Sequence, residues 1–354
     1  MKKTGVILVN YKDYAQKFLK ECRDSLYAQK YPRGDFKVYI VDNLSSDYSR
    51  RYLKKAYPEA VIVPRSDGNY AAANNEGILK AIKDDCEYFV VANMDTKFDE
   101  NWLKELVKAI EDNKGAGMIQ SKILLYPKDG DWNYPKINTI GNIIHYLGFG
   151  FTSGYNLADK KIDGYPEIIY ASGCSFIVSK RVLDKIGIYD ENYYMYHDDT
   201  EMGLRAQLAG HKNLLAPKSI VYHKYEFSRS VKMVDYMERN RILLILHYYR
   251  WRTILLILPA LVVMDILMIL YSIKEKSLKE KLNIYLYFLS PFNWLRIYLK
   301  RSRIKKIKKI KDKDIMSDFE GRILFQEVEN PILKYIINPI FNIYWRVVKK
   351  LVIW

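Results

Sequence analysis

The first 120 residues alternate between short runs of β-branched and aromatic residues and longer segments with an apolar side chain every third or fourth position. GVILVNY (5–11) and FKVYIVDN (36–43) read as strands, and AQKFLKECRDSLYAQ (15–29) between them reads as an amphipathic helix. VIVPR (61–65), AAANNEGILKAIKD (71–84) and EYFVVANMD (87–95) continue as strand, helix and strand. Strands separated by helices predict an α/β protein with a mostly parallel sheet covered on both faces, whose ligands bind at the carboxyl ends of the strands. Those ends are polar: Asn10 and Tyr11, then Asp42 and Asn43, then Asn93, Asp95 and Thr96. Taken singly, each is explained as a strand terminator or helix cap; three in succession outline a polar crevice.

Between 120 and 170 the periodicity is lost in stretches such as YPKDGDWNYPKINTIGN and GFGFTSGYN, which predict long loops and short strands of the kind that form a substrate wall. It returns from residue 169 as strand, helix, acidic turn, helix and strand. In YMYHDDTEMGLRAQLAGH (194–211 in outline), Asp198 and Glu201 have the spacing of a capping box, yet one cap needs one carboxylate and the sequence supplies Asp198 and Asp199. Arg205 and Arg229 are candidate charge partners, each equally explained as a solvated face.

Composition changes the picture in two ways. The three cysteines, Cys22, Cys86 and Cys174, have no paired spacing, which supports neither a disulfide framework nor a zinc knuckle and favours a reducing compartment. The apolar run at the N-terminus is too short for a signal peptide, so the first domain is expected in the cytoplasm. The net charge of +16 is uneven: residues 1–228 carry 32 Lys and Arg against 30 Asp and Glu, and residues 229–354 carry 25 against 11. A basic tail on a nearly neutral domain predicts an anionic partner, either membrane or nucleic acid.

The ordered series VNY, VDNLSSD, DGNYAAANNEGI, ANMDT, SGCSFIVSKRVLDKIGIYDENYYMYHDDTEMGLRAQLAG and VYH resembles the inverting family-2 glycosyltransferases, in particular the rhamnosyltransferase-like branch of surface-glycan synthesis. The resemblance implies a GT-A fold, Rossmann-like with a mostly parallel central sheet flanked by helices. It implies a catalytic domain over 1–228, with a nucleotide-sugar half to about residue 120 and an acceptor half over 121–228. It places Val9, Asn10 and Tyr11 beside the base of a nucleoside diphosphate-sugar and Asp42 on base or ribose with Asn43 close by. Asn69 and Asn74 of DGNYAAANN fall near ribose and phosphates, with Asn93 beside them. Asn69 stands where the family usually has glycine, a substitution that suits left-handed backbone geometry; Ala72 and Ala73 replace frequent glycines and leave less room.

The same resemblance makes Asp95 and His223 ligands of a divalent cation, Mn2+ or Mg2+, with Asn93 where many relatives carry a first Asp. Ser172, Gly173 and Cys174 line the donor-sugar pocket. Asp199 takes the general-base position and Asp198 the position before it, where it orients the base or meets the acceptor. Transfer would then be a metal-dependent single displacement onto a hydroxyl of a lipid-linked or nascent glycan. The helix dipole favours an ionised carboxylate at Asp199 and burial opposes it, which leaves the direction of its pKa shift open.

Residues 229–354 are expected to be a helical, membrane-associated extension at the cytoplasmic face. TILLILPALVVMDILMILYSI (253–273) is long enough to span a bilayer, but Pro259 and Asp265 interrupt it, and a central charge costs about 2.5–3.5 kcal/mol on insertion scales. An odd number of spans would separate the catalytic domain from the basic run RIYLKRSRIKKIKKIKDK (296–313). Either NIYLYFLSPFNWL (283–295) helps the chain re-enter, or both apolar segments lie in the interface as helices. Ten Lys and Arg between 296 and 313 would then meet anionic head groups. The alternative is a soluble helical bundle or homodimer surface. A basic nucleic-acid-binding protein is the competing function; its basic run alternates with isoleucine and not with stacking aromatics, so no nucleic-acid partner is expected. A non-catalytic scaffold of the same fold is the third reading, and Asp42, Asp95 and Asp199 argue against it.

Overall fold

A computed structural model of the chain describes residues 2–127, 130–226, 234–324 and 330–354. By its internal contacts the chain divides into two units. The first comprises Met1–Asn142, Thr152–Gln207 and His211–Glu226; the second comprises Ile143–Phe151, Leu208–Gly210 and Phe227–Trp354.

The first unit opens with β1 (Thr4–Tyr11), α1 (Tyr14–Tyr27), β2 (Phe36–Asn43), α2 (Asp47–Ala56), β3 (Val61–Arg65), α3 (Tyr70–Lys83) and β4 (Tyr88–Ala92). The expected alternation is present, with bounds within a few residues of the periodicity, and α2 stands where the sequence reading placed no helix. α1 turns Ala15, Phe18, Leu19, Cys22 and Leu26 onto the sheet, a stripe at helical spacing. β5 (Thr96–Phe98), α4 (Trp102–Asp112), β6 (Met118–Leu125) and β7 (Ile137–Thr139) follow, then β8 (Asn142–Ile144) and β9 (Gly150–Thr152), which fall largely in the second unit, and, back in the first, β10 (Glu167–Ile168). The block around the acidic turn is β11 (Ser175–Ser179), α5 (Lys180–Ile186), α6 (Asp198–Leu208) and β12 (Asn213–His223).

Among the described residues the main sheet has ten strands, ordered β10-β12-β6-β11-β4-β1-β2-β3, with β5 on β12 and β7 on β6. The ladders β3–β2–β1–β4 and β6–β12 are parallel. β11 is antiparallel to both β4 and β6, so β6 and β12 run in the same direction as β1, β2 and β4. All their carboxyl ends, and the start of β11, therefore meet at one rim. Pro64 is confined to β3, the edge strand, where a missing N–H breaks no ladder. The core is built from sheet residues such as Val6, Leu8, Ile40, Val90 and Ile177 with Phe18, Leu19, Trp102 and Leu106 from the covering helices.

The second unit contains α7 (Val234–Tyr248), α8 (Trp251–Lys274), α9 (Leu278–Leu289), α10 (Pro291–Ile307), α11 (Asp312–Met316) and α12 (Asn338–Leu351). The segment expected as one apolar element over 283–295 is divided: Ser290 is extended and Pro291 starts a new helix, its missing N–H costing nothing at that position. Asp265, in the middle of α8, is neutralised within the unit by the Lys281 ammonium at 2.6 Å and the Tyr285 hydroxyl at 2.7 Å. Lys281 also donates to Glu238 at 2.8 Å, which Arg241 approaches at 3.1 Å; Glu238, Arg241 and Lys281 are all buried.

Candidate active site

The rim collects polar groups because consecutive parallel strands end there in register. Asn10 faces Asp42 and Tyr11 faces Asn43 across β1 and β2. The Asn10 amide donates to Asp42 Oδ1 at 2.8 Å while its Oδ1 accepts the Ala15 N–H at 2.8 Å. Arg50 Nε donates to Asp42 Oδ2 at 3.0 Å, so the fully buried carboxylate is paired on both oxygens. Asn43 accepts the Gly68 N–H at 3.0 Å and donates to the Asn69 carbonyl at 3.2 Å, pinning the turn into α3. Val9 packs with Val41, Ala73 and Tyr70 as a small apolar shelf beside these groups. Tyr11 is half-buried, edge-on to Tyr14.

The DGNYAAANN segment differs from expectation. Asn69 has φ of −72° and caps α3, accepting the Ala72 N–H at 3.0 Å; the left-handed residue of the turn is Gly68, with φ of +75°. A capping side chain needs extended backbone, so the left-handed position moves one residue back onto glycine. The first amides of α3 are not directed at an open site: Tyr70 and Ala71 donate to the Tyr194 carbonyl at 2.9 and 3.0 Å. Asn74 is buried and donates to the Tyr70 carbonyl of its own helix.

On the other side of the rim, the Ser172-Gly173-Cys174 turn precedes β11. Gly173 N–H donates to Asp199 Oδ2 at 2.9 Å, and the Cys174 carbonyl accepts the Asn93 N–H at 3.0 Å. The Asn93 side chain accepts the Tyr70 hydroxyl at 3.0 Å. Asp199 Oδ1 accepts the Thr200 N–H at 2.7 Å. Burial raises the Asp199 carboxyl above the ordinary range despite these donors, and raises Asp198 well above it, with Asp199 as a like-charged neighbour. Desolvation thus outweighs the hydrogen bonds from the Gly173 and Thr200 amides, and the direction left open by the sequence is upward. Asp198 is the more buried of the two. Glu201 is committed to Arg205, 2.8 Å away and also buried, whose guanidinium donates to the Ile186 and Ile188 carbonyls. Arg205 is therefore an internal tie and not a solvated face; Arg229 lies outside the described residues.

His223 closes β12 opposite Thr96, which brings its Nε2 to 3.4 Å from Asp95 Oδ1. Nδ1 lies 2.9 Å from Asn138 Oδ1, a bond that makes Nδ1 the protonated nitrogen and turns Nε2 toward the carboxylate. Burial would lower the imidazole pKa, but Cys174 and Asp95 outweigh it and hold it well raised. Electrostatics that favour a proton at Nε2 favour a cation there. Among the described residues no group of three or more His, Cys, Asp or Glu converges. The chain thus offers one carboxylate and one imidazole, a set that fits an ion completing its shell with diphosphate oxygens and water.

The Ser172–Cys174 turn therefore joins the expected donor pocket, Asp199 and the Asp95–His223 pair, while Asn43, Asn69 and Asn74 serve the turn and helix behind them. Sequence reasoning missed Tyr70 and Asn138. Asn138 meets His223 across 85 residues of chain, through β7 and β6, and nothing local marks it.

A mixed sheet with polar carboxyl ends, an antiparallel β11 and an acidic helix start defines the GT-A class of α/β transferase folds. The chain belongs to Glycosyl transferase family 2, whose profile matches residues 5–187, more than half its length. It is similar to the N-acetylglucosaminyl-diphospho-decaprenol L-rhamnosyltransferase of Mycobacterium tuberculosis, 24% identical over 205 residues covering 52% of this chain and 66% of the relative. The O-antigen biosynthesis protein RfbC of Myxococcus xanthus is 26% identical over 236 residues, 63% of this chain and 17% of the relative. Across the curated relatives it matches, the chain spans 17–66% of their length. Among solved structures, GalNAc-T7 with UDP, GalNAc and Mn2+ superposes with a TM-score of 0.53 at 16% identity, covering 68% of this chain and 47% of that one; the likeness is of fold.

Proposed function

We propose that this chain is an inverting glycosyltransferase that moves a sugar from a nucleoside diphosphate-sugar to a hydroxyl of a lipid-linked or nascent surface glycan. The observation that carries the reading is the Ser172–Cys174 turn, which binds Asp199 through the Gly173 N–H and holds Asn93, two residues before Asp95, through the Cys174 carbonyl. A base and a cation pair held by one three-residue turn can act on the two ends of one displaced sugar.

In this reading Asp199 takes the proton of the acceptor hydroxyl as its oxygen bonds the anomeric carbon from the face opposite the diphosphate. The bond to the diphosphate breaks with its electron pair, and the configuration inverts. A carboxylate with a raised pKa is a stronger base, yet is still ionised when its pKa lies below the working pH. Asp198, more deeply buried, fixes the helix start and orients its neighbour. Asp95 and His223 would hold a divalent cation; when bound, that ion supplies positive charge to the departing diphosphate. We assign base and ribose contacts to Val9, Tyr11, Asp42 and Asn93, and support of the loop behind them to Asn10, Asn43, Asn69 and Asn74. Domain limits at about 1–228 and 229–354 follow from the same reading.

The second unit is read as the membrane-associating part. α8 is 24 residues long and apolar enough to cross a bilayer by length and composition. An in-plane position suits it better. Leu255, Leu258, Val262, Ile266, Leu270 and Ile273 form one exposed stripe, while Ile254, Ile257, Ala260 and Met264 are buried on the other side. At mid-length the helix is tied by Asp265 to a set of buried charges that a span would carry to the bilayer centre. The +14 charge of residues 229–354 suits anionic head groups.

The transferase test is release of nucleoside diphosphate from a panel of nucleotide-sugars, with and without Mn2+, by wild type and Asp199→Asn. Full activity in the variant sinks the base assignment. For the membrane reading, flotation of the full chain with anionic vesicles is expected, and its absence returns the second unit to a soluble bundle.

A further inference from the structure

The segment that delivers Asp198 and Asp199 is strained. Tyr194, Tyr196 and His197 have φ of 65°, 62° and 58°, left-handed values that side chains with a Cβ adopt at an energetic cost. Such a path persists where its surroundings over-determine it, and helix α3 supplies three restraints. Asn75, buried and remote in sequence, accepts the Tyr189 N–H at 2.9 Å and donates to the Tyr189 carbonyl at 3.0 Å and to Glu191 Oε1 at 2.9 Å. Asn69 Nδ2 donates to the Glu191 carbonyl at 2.9 Å. The Tyr70 and Ala71 amides hold the Tyr194 carbonyl at the start of the left-handed stretch.

We propose that Asn75 is a positioning residue: with the first turn of α3 it locks the Tyr189–His197 segment so that Asp199 is held against the Gly173 amide. The proposal rests on the reading of Asp199 as base and goes beyond it, because Asn75 touches neither carboxylate. The same helix reaches the opposite side of the site, where the Tyr70 hydroxyl donates to Asn93, two residues before Asp95. α3 is thus the part that fixes the spacing between the cation side and the base side. An amide is required at position 75 because it must accept from one backbone group and donate to another; a carboxylate accepts only, and would face the Tyr189 carbonyl and Glu191 with like charge.

The test uses the full chain and compares Asn75→Ala, Asn75→Asp and Asn75→Asp combined with Glu191→Gln, whose amide can donate back. Amide hydrogen exchange across 189–199 should be at least about tenfold faster in Asn75→Asp, and kcat about ten- to hundredfold lower, with the affinity for nucleoside diphosphate within about twofold of wild type. Adding Glu191→Gln should recover part of both. Should Asn75→Ala fail to fold, the Asp variant and its rescue still decide. Unchanged exchange in Asn75→Asp overturns the proposal, as does a fall in nucleotide affinity that matches the fall in kcat. A wild-type chain inactive with every donor sinks the transferase reading alone, since the exchange rates accept or reject the restraint without turnover.

Discussion

The two units of this chain place their apolar and charged groups differently. The first encloses its apolar residues between sheet and helices and gathers polar groups at one rim, where Asp42, Asn10 and Asn43 are buried only because each is fully engaged. The second leaves apolar side chains exposed at helical intervals, on α8 and again at Leu278, Leu282, Leu286 and Leu289 on α9, while it buries Glu238, Arg241 and Lys281. Chemistry needs convergent polar groups in a preformed frame, and the first unit has that form. An outward apolar stripe over an inward charge network is the form we propose for a membrane-associating part, and the second unit has that form.

The largest effect expected from this contrast is at Asp199. Asp199→Asn should lower turnover by about 10²–10⁴-fold, read as nucleoside diphosphate release, with little change in stability. A polar substitution in the α8 stripe, Leu258→Ser, should leave turnover on a soluble acceptor unchanged and weaken flotation. A turnover loss in both variants would break the division of labour. Next in size is Lys281→Met, which leaves Glu238 and Asp265 without their shared cation. Breaking a buried pair by removing one partner costs about 3–5 kcal/mol, so the denaturant midpoint of the 229–354 region should fall sharply. A midpoint within error of wild type would show that the network does not hold the second unit together.

Much of the first unit was legible because its signals are local. The alternation of β-rich runs and amphipathic stretches placed the strands from β1 to β4, and polar residues at their carboxyl ends located the rim. What the sequence did not disclose depends on contacts between distant segments. β11 runs antiparallel between β4 and β6, a matter of chain path that periodicity does not encode. The burial of Arg205 depends on Glu201 one helical turn earlier and on carbonyls near residue 187, so the same sequence reads equally as a solvated face. Asn69 looked like a left-handed residue because it replaces a family glycine, yet Gly68 was next to it and took that conformation at lower cost. In the second unit, hydropathy found α8 but not the partner of Asp265, because Lys281 lies beyond the helix in a segment whose lysines look exposed.

A smaller effect sharpens the cation side of the rim. Asn138→Ala removes the acceptor that orients His223, and loss of such an outer partner typically costs about 10–100-fold in metal affinity. Mn2+ titration of the protein should show that weakening with nucleoside diphosphate present. Equal Mn2+ affinity in wild type and variant would mean that His223 is held by the strand alone, or that it is not a ligand.

The smallest effect compares the buried charges of the two units through pH. Asp198 has a folded-state pKa well above its ordinary value, with burial the main cause, so the folded chain binds more protons than the unfolded one across the window between those two values. Stability contributed by this group therefore rises as pH falls through the window and is lost as pH rises. Lys281 has the opposite arrangement: burial lowers its pKa, but Glu238 and Asp265 outweigh it and the net shift is upward. Its contribution is fully present below the unfolded value of about 10.4 and is flat from pH 5 to 8. Asp198→Asn mimics the protonated form. It should raise the melting temperature of the full chain by about 2–4 °C at pH 8 for each kcal/mol of relieved desolvation, and by less at pH 5. A gain that does not depend on pH would trace to packing and not to charge.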